Sequence, residues 1–160
     1  MKPYSAEIVI NLLRSRVIEL FDDADNMFKW QPGLQSFEHV SGEPGQPGAK
    51  SKLVYLNGKH RVEMIETVIK RDFPNEFTGT YEFDGSSNTL ENHFSELGSD
   101  RTMWKFTSEF KFCTFMMKTI GFFFPGMFRK QSMVFLQKFK EFAEEGKDVR
   151  EDPDAEACAN

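Results

Sequence analysis

Hydrophobic and polar positions alternate every second residue along much of the first 112 positions, then change to a helical period. The first alternating run is 6–12, with Ile8, Ile10 and Leu12 on one side and Glu7 and Asn11 on the other. Ser15 precedes Val17-Ile18-Glu19-Leu20-Phe21, which predicts a short helix capped by Ser15 and ending near Phe21. A second helical turn over 23–29 runs into the turn signal Pro32-Gly33. Strand patterns follow at 35–41, 50–56, 60–70, 76–83, 88–97 and 102–112. The segment 42–48 is too rich in Gly and Pro for regular structure. Asn57-Gly58, Phe73-Pro74-Asn75, Asp84-Gly85 and Gly98-Ser99-Asp100 mark tight reversals, so the last five runs pair as sequential hairpins.

From 115 to 145 the period is helical: Phe128, Phe135, Phe139 and Phe142 share one face, while Lys130, Lys138, Lys140, Glu141 and Glu144 fall largely elsewhere. Pro125 removes an amide hydrogen and crowds the preceding turn, and Gly121 and Gly126 flank it. This predicts a break within 119–127, with a longer helix from about Met127 onward. A helix so apolar on one side needs an apolar partner, which the strands supply. A curved sheet gripping it leaves space between them, and Phe122, Phe123 and Phe124 are expected at the entrance to that space.

Charged side chains, which should face water, set the inward face of each strand. Lys105, Glu109 and Lys111 point out, so Trp104, Phe106, Phe110 and Phe112 point in. Glu76 and Glu82 out leaves Phe77, Gly79, Tyr81 and Phe83 in. On 50–56, Ser51, Leu53 and Tyr55 face in; on 60–70, Arg61 and Glu63 face out and Val62, Met64, Glu66 and Val68 face in. Leu90, Asn92 and Phe94 face in, with His93 out. Glu66 is then a carboxylate on an apolar face, where it must be paired, hydrogen-bonded or protonated.

Composition narrows the function. Of 160 residues, 18 are Phe against 2 Trp and 3 Tyr, which suits a greasy interior or a greasy ligand. The net charge of −5 resides entirely beyond Ala143, so the remainder has no basic excess with which to bind nucleic acid. Residues 1–146 are expected as one domain and 147–160 as an acidic, flexible tail. Cys113 and Cys158 make no disulfide framework; Cys113 is expected as a small core residue. The start of the chain lacks a signal-peptide pattern, and no transmembrane segment is visible, so a cytoplasmic location is expected. His39, His60 and His93 lack metal-ligand spacing, and the sequence carries no phosphate loop or nucleophile elbow. No metal and no cofactor are expected.

The order of strand, two short helices, six-stranded meander and long C-terminal helix resembles the START / Bet v 1-like (SRPBCC) superfamily, specifically its polyketide cyclase/dehydrase-like bacterial members. The resemblance covers 6–145 and rests on the 17–21 segment followed by Trp30-Gln31-Pro32-Gly33, on Met64-Ile65-Glu66-Thr67-Val68, on Thr102 with Trp104, and on Gln131, Leu136 and Phe139-Lys140. It implies an α+β helix-grip fold, a curved antiparallel sheet of about seven strands wrapped around the C-terminal helix, and an internal cavity. It does not imply catalysis.

The first functional expectation is therefore the binding of a small hydrophobic or aromatic molecule, such as a lipid or polyketide-like metabolite. The expected ligand contacts are Leu53, Tyr55, Met64, Glu66, Tyr81, Asn92, Phe94, Trp104, Phe106, Phe110, Phe124, Phe128 and Phe135. The alternative is a cyclase or dehydratase-type acid–base enzyme using Glu66 beside Tyr55 and Tyr81. A protein-interaction module docking through the acidic tail is a third. A monomer or weak homodimer is expected.

Overall fold

Alternation and turn chemistry produce the sheet; the computed structural model describes residues 1–123 and 125–152. β1 (Tyr4–Ile10) leads into α1 (Arg14–Phe21) and α2 (Ala24–Trp30). Then come β2 (Leu34–Ser41), β3 (Lys50–Asn57), β4 (His60–Asp72), β5 (Glu76–Phe83), β6 (Ser86–Glu96) and β7 (Thr102–Lys111). The described chain closes with α3 (Phe115–Phe123), α4 (Pro125–Glu145) and a 3-10 turn, Val149–Glu151. All strand pairs are antiparallel in the order β1-β7-β6-β5-β4-β3-β2, and this is the α+β helix-grip arrangement.

Several boundaries differ from the sequence expectation for local reasons. β1 stops at Ile10 because its partner β7 begins at Thr102; the Leu12 carbonyl instead accepts the Thr102 hydroxyl at 2.8 Å. Ser15 does not cap α1: the helix begins one residue earlier, and the Leu13 carbonyl accepts from Arg16 and Val17. α2 does carry a side-chain cap, Asp23, which accepts from the Asp25 amide. The β3–β4 reversal uses Gly58-Lys59 rather than Asn57-Gly58, with Gly58 at φ 59°. Gly33 has φ 80°, and a Cβ there would lie 2.4 Å from the Leu56 carbonyl oxygen, so no larger residue fits this close approach. α4 starts at Pro125, where a missing amide hydrogen costs nothing. Cys113 is exposed rather than part of the core. Within the segment expected as a tail, Val149 is buried and Asp152 pairs with Lys138 at 2.9 Å; 153–160 lie outside the described residues.

The core lies where α4 crosses the sheet. Phe139 is fully buried, with ring centroids 5.1 Å from both Trp30 and Trp104 and 6.1 Å from Phe21. Phe21 in turn meets Phe94 at 5.1 Å and Trp104 at 5.5 Å. β1 ties α4 along its length. The Tyr4 hydroxyl lies 2.8 Å from Ser132 Oγ, Lys140 Nζ donates to the Val9 carbonyl at 2.6 Å, and Asn11 donates to Glu144 at 2.7 Å. Phe139→Ala should cost about 3–5 kcal/mol, because it removes the ring on which four aromatic neighbours converge. Urea unfolding measures this; a loss below about 1 kcal/mol would show that α4 is held elsewhere.

Candidate functional site

Between the sheet and α4 is a cavity of about 440 Å³. Its floor is set by strand register. His39 pairs with Ser51, Ser51 with Glu66, and Glu66 with Tyr81, so one row across four strands places four polar side chains on the concave face. All four line the cavity. The walls are apolar: Phe77, Trp104 and Phe106 from the sheet, Met27 and Trp30 from α2, and Phe135 and Leu136 from α4.

Glu66 is 7% exposed, and burial pushes its carboxyl above the ordinary value of 4.5; the Tyr81 hydroxyl opposes this by favouring the charged form. The phenols respond in kind. Burial first, and then the nearby Glu66 charge, raise both Tyr55 and Tyr81 above the usual tyrosine value. The Tyr55 hydroxyl donates to Gln31 Oε1, which ties β3 to the end of α2. Trp104 Nε1 donates to Asn92 Oδ1 at 3.1 Å, and Asn92 Nδ2 donates to the Phe77 carbonyl at 3.1 Å, so this pair is internally satisfied. Glu66 is therefore the acidic group of the floor, held beside two phenols.

Of the expected contacts, Tyr55, Glu66, Tyr81, Asn92, Trp104, Phe106 and Phe135 line the cavity. Leu53 and Phe94 are buried but pack into the core outside it, and Met64 is half-buried outside it as well. Phe110 and Phe128 do not line it either. Their rings meet at 4.9 Å, tilted by 47°, next to Phe112 and Tyr4. Phe124 lies outside the described residues. Of the three expected at the entrance, Phe122 is exposed and does not line the cavity, and the side chains of Phe123 and Phe124 lie outside the described ones. The rim is formed by Pro44 and Gly45 of the β2–β3 loop together with Asp22 and Arg71.

Arg71 was not legible as a site residue. A register shift between Val68 and Lys70 leaves Ile69 unpaired and exposed, and this reverses the parity of the strand beyond it. Arg71 thereby reaches the cavity side, where Nη1 donates to Asp22 Oδ1 at 2.6 Å and the guanidinium lies 4.7 Å from the Phe73 ring centroid. The adjacent apolar pair Val68-Ile69, which breaks the alternation, is the signal that marks such a bulge. Phe21, Met27 and Trp30 were also outside the expected set, because strand parity says nothing about side chains from helices.

No family model and no curated protein matches the sequence. Solved structures do match the fold. A protein of Thermus thermophilus is 18% identical with a TM-score of 0.69, over 89% of this chain and 97% of that one. Ara h 8.0201 is 13% identical with a TM-score of 0.65, over 89% and 97%. DynU16, from the dynemicin biosynthetic locus, is 11% identical with a TM-score of 0.70, over 92% of this chain and 49% of that one. The chain thus has the START / Bet v 1-like (SRPBCC) fold. Among the described residues no helix is long and apolar enough to cross a membrane.

The raised Glu66 group makes stability depend on pH. The folded state holds this proton more tightly than the unfolded chain, so Glu66 lowers stability as pH rises from its ordinary value of 4.5 through the raised folded one. Glu66→Gln should therefore melt higher than the wild type at neutral pH, with the difference shrinking as pH falls towards 4.5. Paired thermal melts across that range check this. A lower melting temperature for the variant at every pH would make Glu66 a structural partner instead.

Proposed function

We propose that the protein binds a small hydrophobic or aromatic molecule carrying one polar group in the cavity between the sheet and α4. The observation that carries this reading is the combination of aromatic walls and a polar row across the floor within about 440 Å³, a size typical of small-molecule pockets. The walls supply non-directional affinity. Glu66, Ser51, Tyr81 and His39 supply the directional contacts that orient the ligand. Burial favours the neutral acid of Glu66, which donates a hydrogen bond to a carbonyl, ether or phenolic oxygen of the ligand. The Asp22–Arg71 pair at the rim restricts entry without filling the interior.

N-phenyl-1-naphthylamine, a neutral fluorescent apolar probe, tests this. It should bind saturably at one site, and Val68→Trp, which places a large ring in the cavity, should weaken binding at least about tenfold. Native mass spectrometry of protein from its own host should show a co-purified apolar ligand that Val68→Trp lacks. Absence of saturable probe binding, or equal binding by the variant, would remove the proposal.

A second reading, acid–base catalysis of the cyclase or dehydratase type, is supported by one observation: the electrostatic neighbours of Glu66 are phenols rather than a cation. A carboxyl beside Tyr81 can pass a proton to or from a bound carbonyl compound while the phenol orients the oxygen. Glu66→Gln separates the two readings. In a carrier, the variant weakens binding of the co-purified ligand and no product forms with either protein. In an enzyme, the variant retains probe binding while turnover of that ligand falls about 100-fold or more.

A further inference from the structure

α3 shows water a large apolar surface. Gly121 is a buried contact, packed so tightly that a Cβ would lie 2.6 Å from the Phe112 ring. Three of its large apolar side chains are turned outward: Phe115 is 86% exposed, Met116 69% and Phe122 79%. On a helical wheel these three point away from the Gly121 side, and exposed Lys118 lies beside Phe122. Met127, at the start of α4, adds a further exposed apolar side chain, and exposed Arg129 and Lys130 follow it. A monomeric domain rarely shows so many large apolar groups in one short stretch.

Charge identifies the partner. The whole chain carries −5, yet from Phe110 to Lys140 there are six Lys or Arg residues and no Asp or Glu; Lys138 and Lys140 pair with Glu141, Asp152 and Glu144, and Lys118, Arg129 and Lys130 are exposed on or beside α3. A patch of exposed Phe and Met rimmed by cations is complementary to an anionic bilayer surface: rings enter the acyl boundary while ammonium and guanidinium groups meet lipid phosphates. A second copy fits less well. A two-fold interface through this patch would bring two sets of Lys118, Arg129 and Lys130 together, with no carboxylate from this segment to balance them. We propose that α3 and the first turn of α4 dock the protein on anionic phospholipid membranes, with Phe115, Met116 and Phe122 inserted and Lys118, Arg129 and Lys130 at the headgroups. Phe115, Met116, Lys118, Phe122, Arg129 and Lys130 are not among the described residues that line the cavity, so the proposal stands whether or not the cavity holds a ligand.

Sedimentation of the full chain with vesicles tests it. Vesicles of phosphatidylcholine mixed with phosphatidylglycerol should bring down the wild type, and those of phosphatidylcholine alone should not; added salt should weaken the binding. Two triple variants, Phe115→Ser/Met116→Ser/Phe122→Ser and Lys118→Glu/Arg129→Glu/Lys130→Glu, should each bind at least about tenfold more weakly. Both should still unfold cooperatively in thermal melts, so that lost binding is not lost fold. Phe115→Trp in the otherwise native chain provides a readout independent of loss: its emission should shift to the blue on adding the anionic vesicles. The proposal is overturned if the wild type does not sediment with the anionic vesicles, including the case where it proves to be a dimer that the serine variant dissolves. It is equally overturned if neutral vesicles bind as well, if either variant binds as tightly as the wild type, or if the Phe115→Trp emission does not move.

Discussion

The contact between Trp104 on β7 and Phe139 on α4 fixes how far the helix stands from the sheet. Their ring centroids are 5.1 Å apart and nearly perpendicular, and Phe21 and Trp30 close around the same point. Aromatic rings are stiff and large, so a cluster of four sets a separation that aliphatic side chains would let collapse. α1 and α2 are positioned by this cluster as well, since each contributes one of its rings. Towards the start of α4, Tyr4, Phe110 and Phe128 form a second aromatic prop. The cavity is the span between the two props.

That architecture explains what the sequence made legible and what it did not. Alternation and turn residues gave the order of strands and helices, because each hairpin is a local event whose signals lie within a few residues. Parity from charge placed Tyr55, Glu66, Tyr81, Trp104 and Phe106 on the concave face, where they line the cavity. It could not separate a residue that lines space from one that fills it. Phe94 and Phe110 share that face, but each meets a neighbouring ring, and whether a ring has a neighbour depends on residues distant in the chain. Parity also failed beyond Val68, since one unpaired residue reverses every side chain after it. Helix contributions such as Met27 and Trp30 depend on how α2 lies across the sheet, a tertiary fact with no period of its own.

The same division holds for the 115–130 segment. Its Phe and Met content reads as core material, and a break near Pro125 was legible from proline chemistry alone. Which way the apolar side chains turn was not. The decisive residue is Gly121, which lets α3 approach the Phe112 ring closely and leaves Phe115, Met116 and Phe122 on the outer side. A glycine in a helix is costly unless a close approach requires it, and here one does.

The polar row on the cavity floor argues that the space is kept rather than left over. Had the region been selected for packing alone, Ser51 and Glu66 would be the positions for large aliphatic side chains. They lie on the inner face, Ser51 at the start of β3 and Glu66 in the middle of β4, and are almost fully buried. A buried carboxyl beside a serine and two phenols reduces stability unless something in the cavity makes use of it, because burial penalises its charged form and raises its proton affinity. Apolar side chains from α4 advancing onto the row would bury these polar groups further and return no hydrogen bond. The row therefore resists collapse of the helix onto the sheet from the floor side, while the two aromatic props resist it from the ends. Shape and polarity oppose filling at the same place, which is the physical reason to read this cavity as a site for an exogenous molecule rather than as a packing defect.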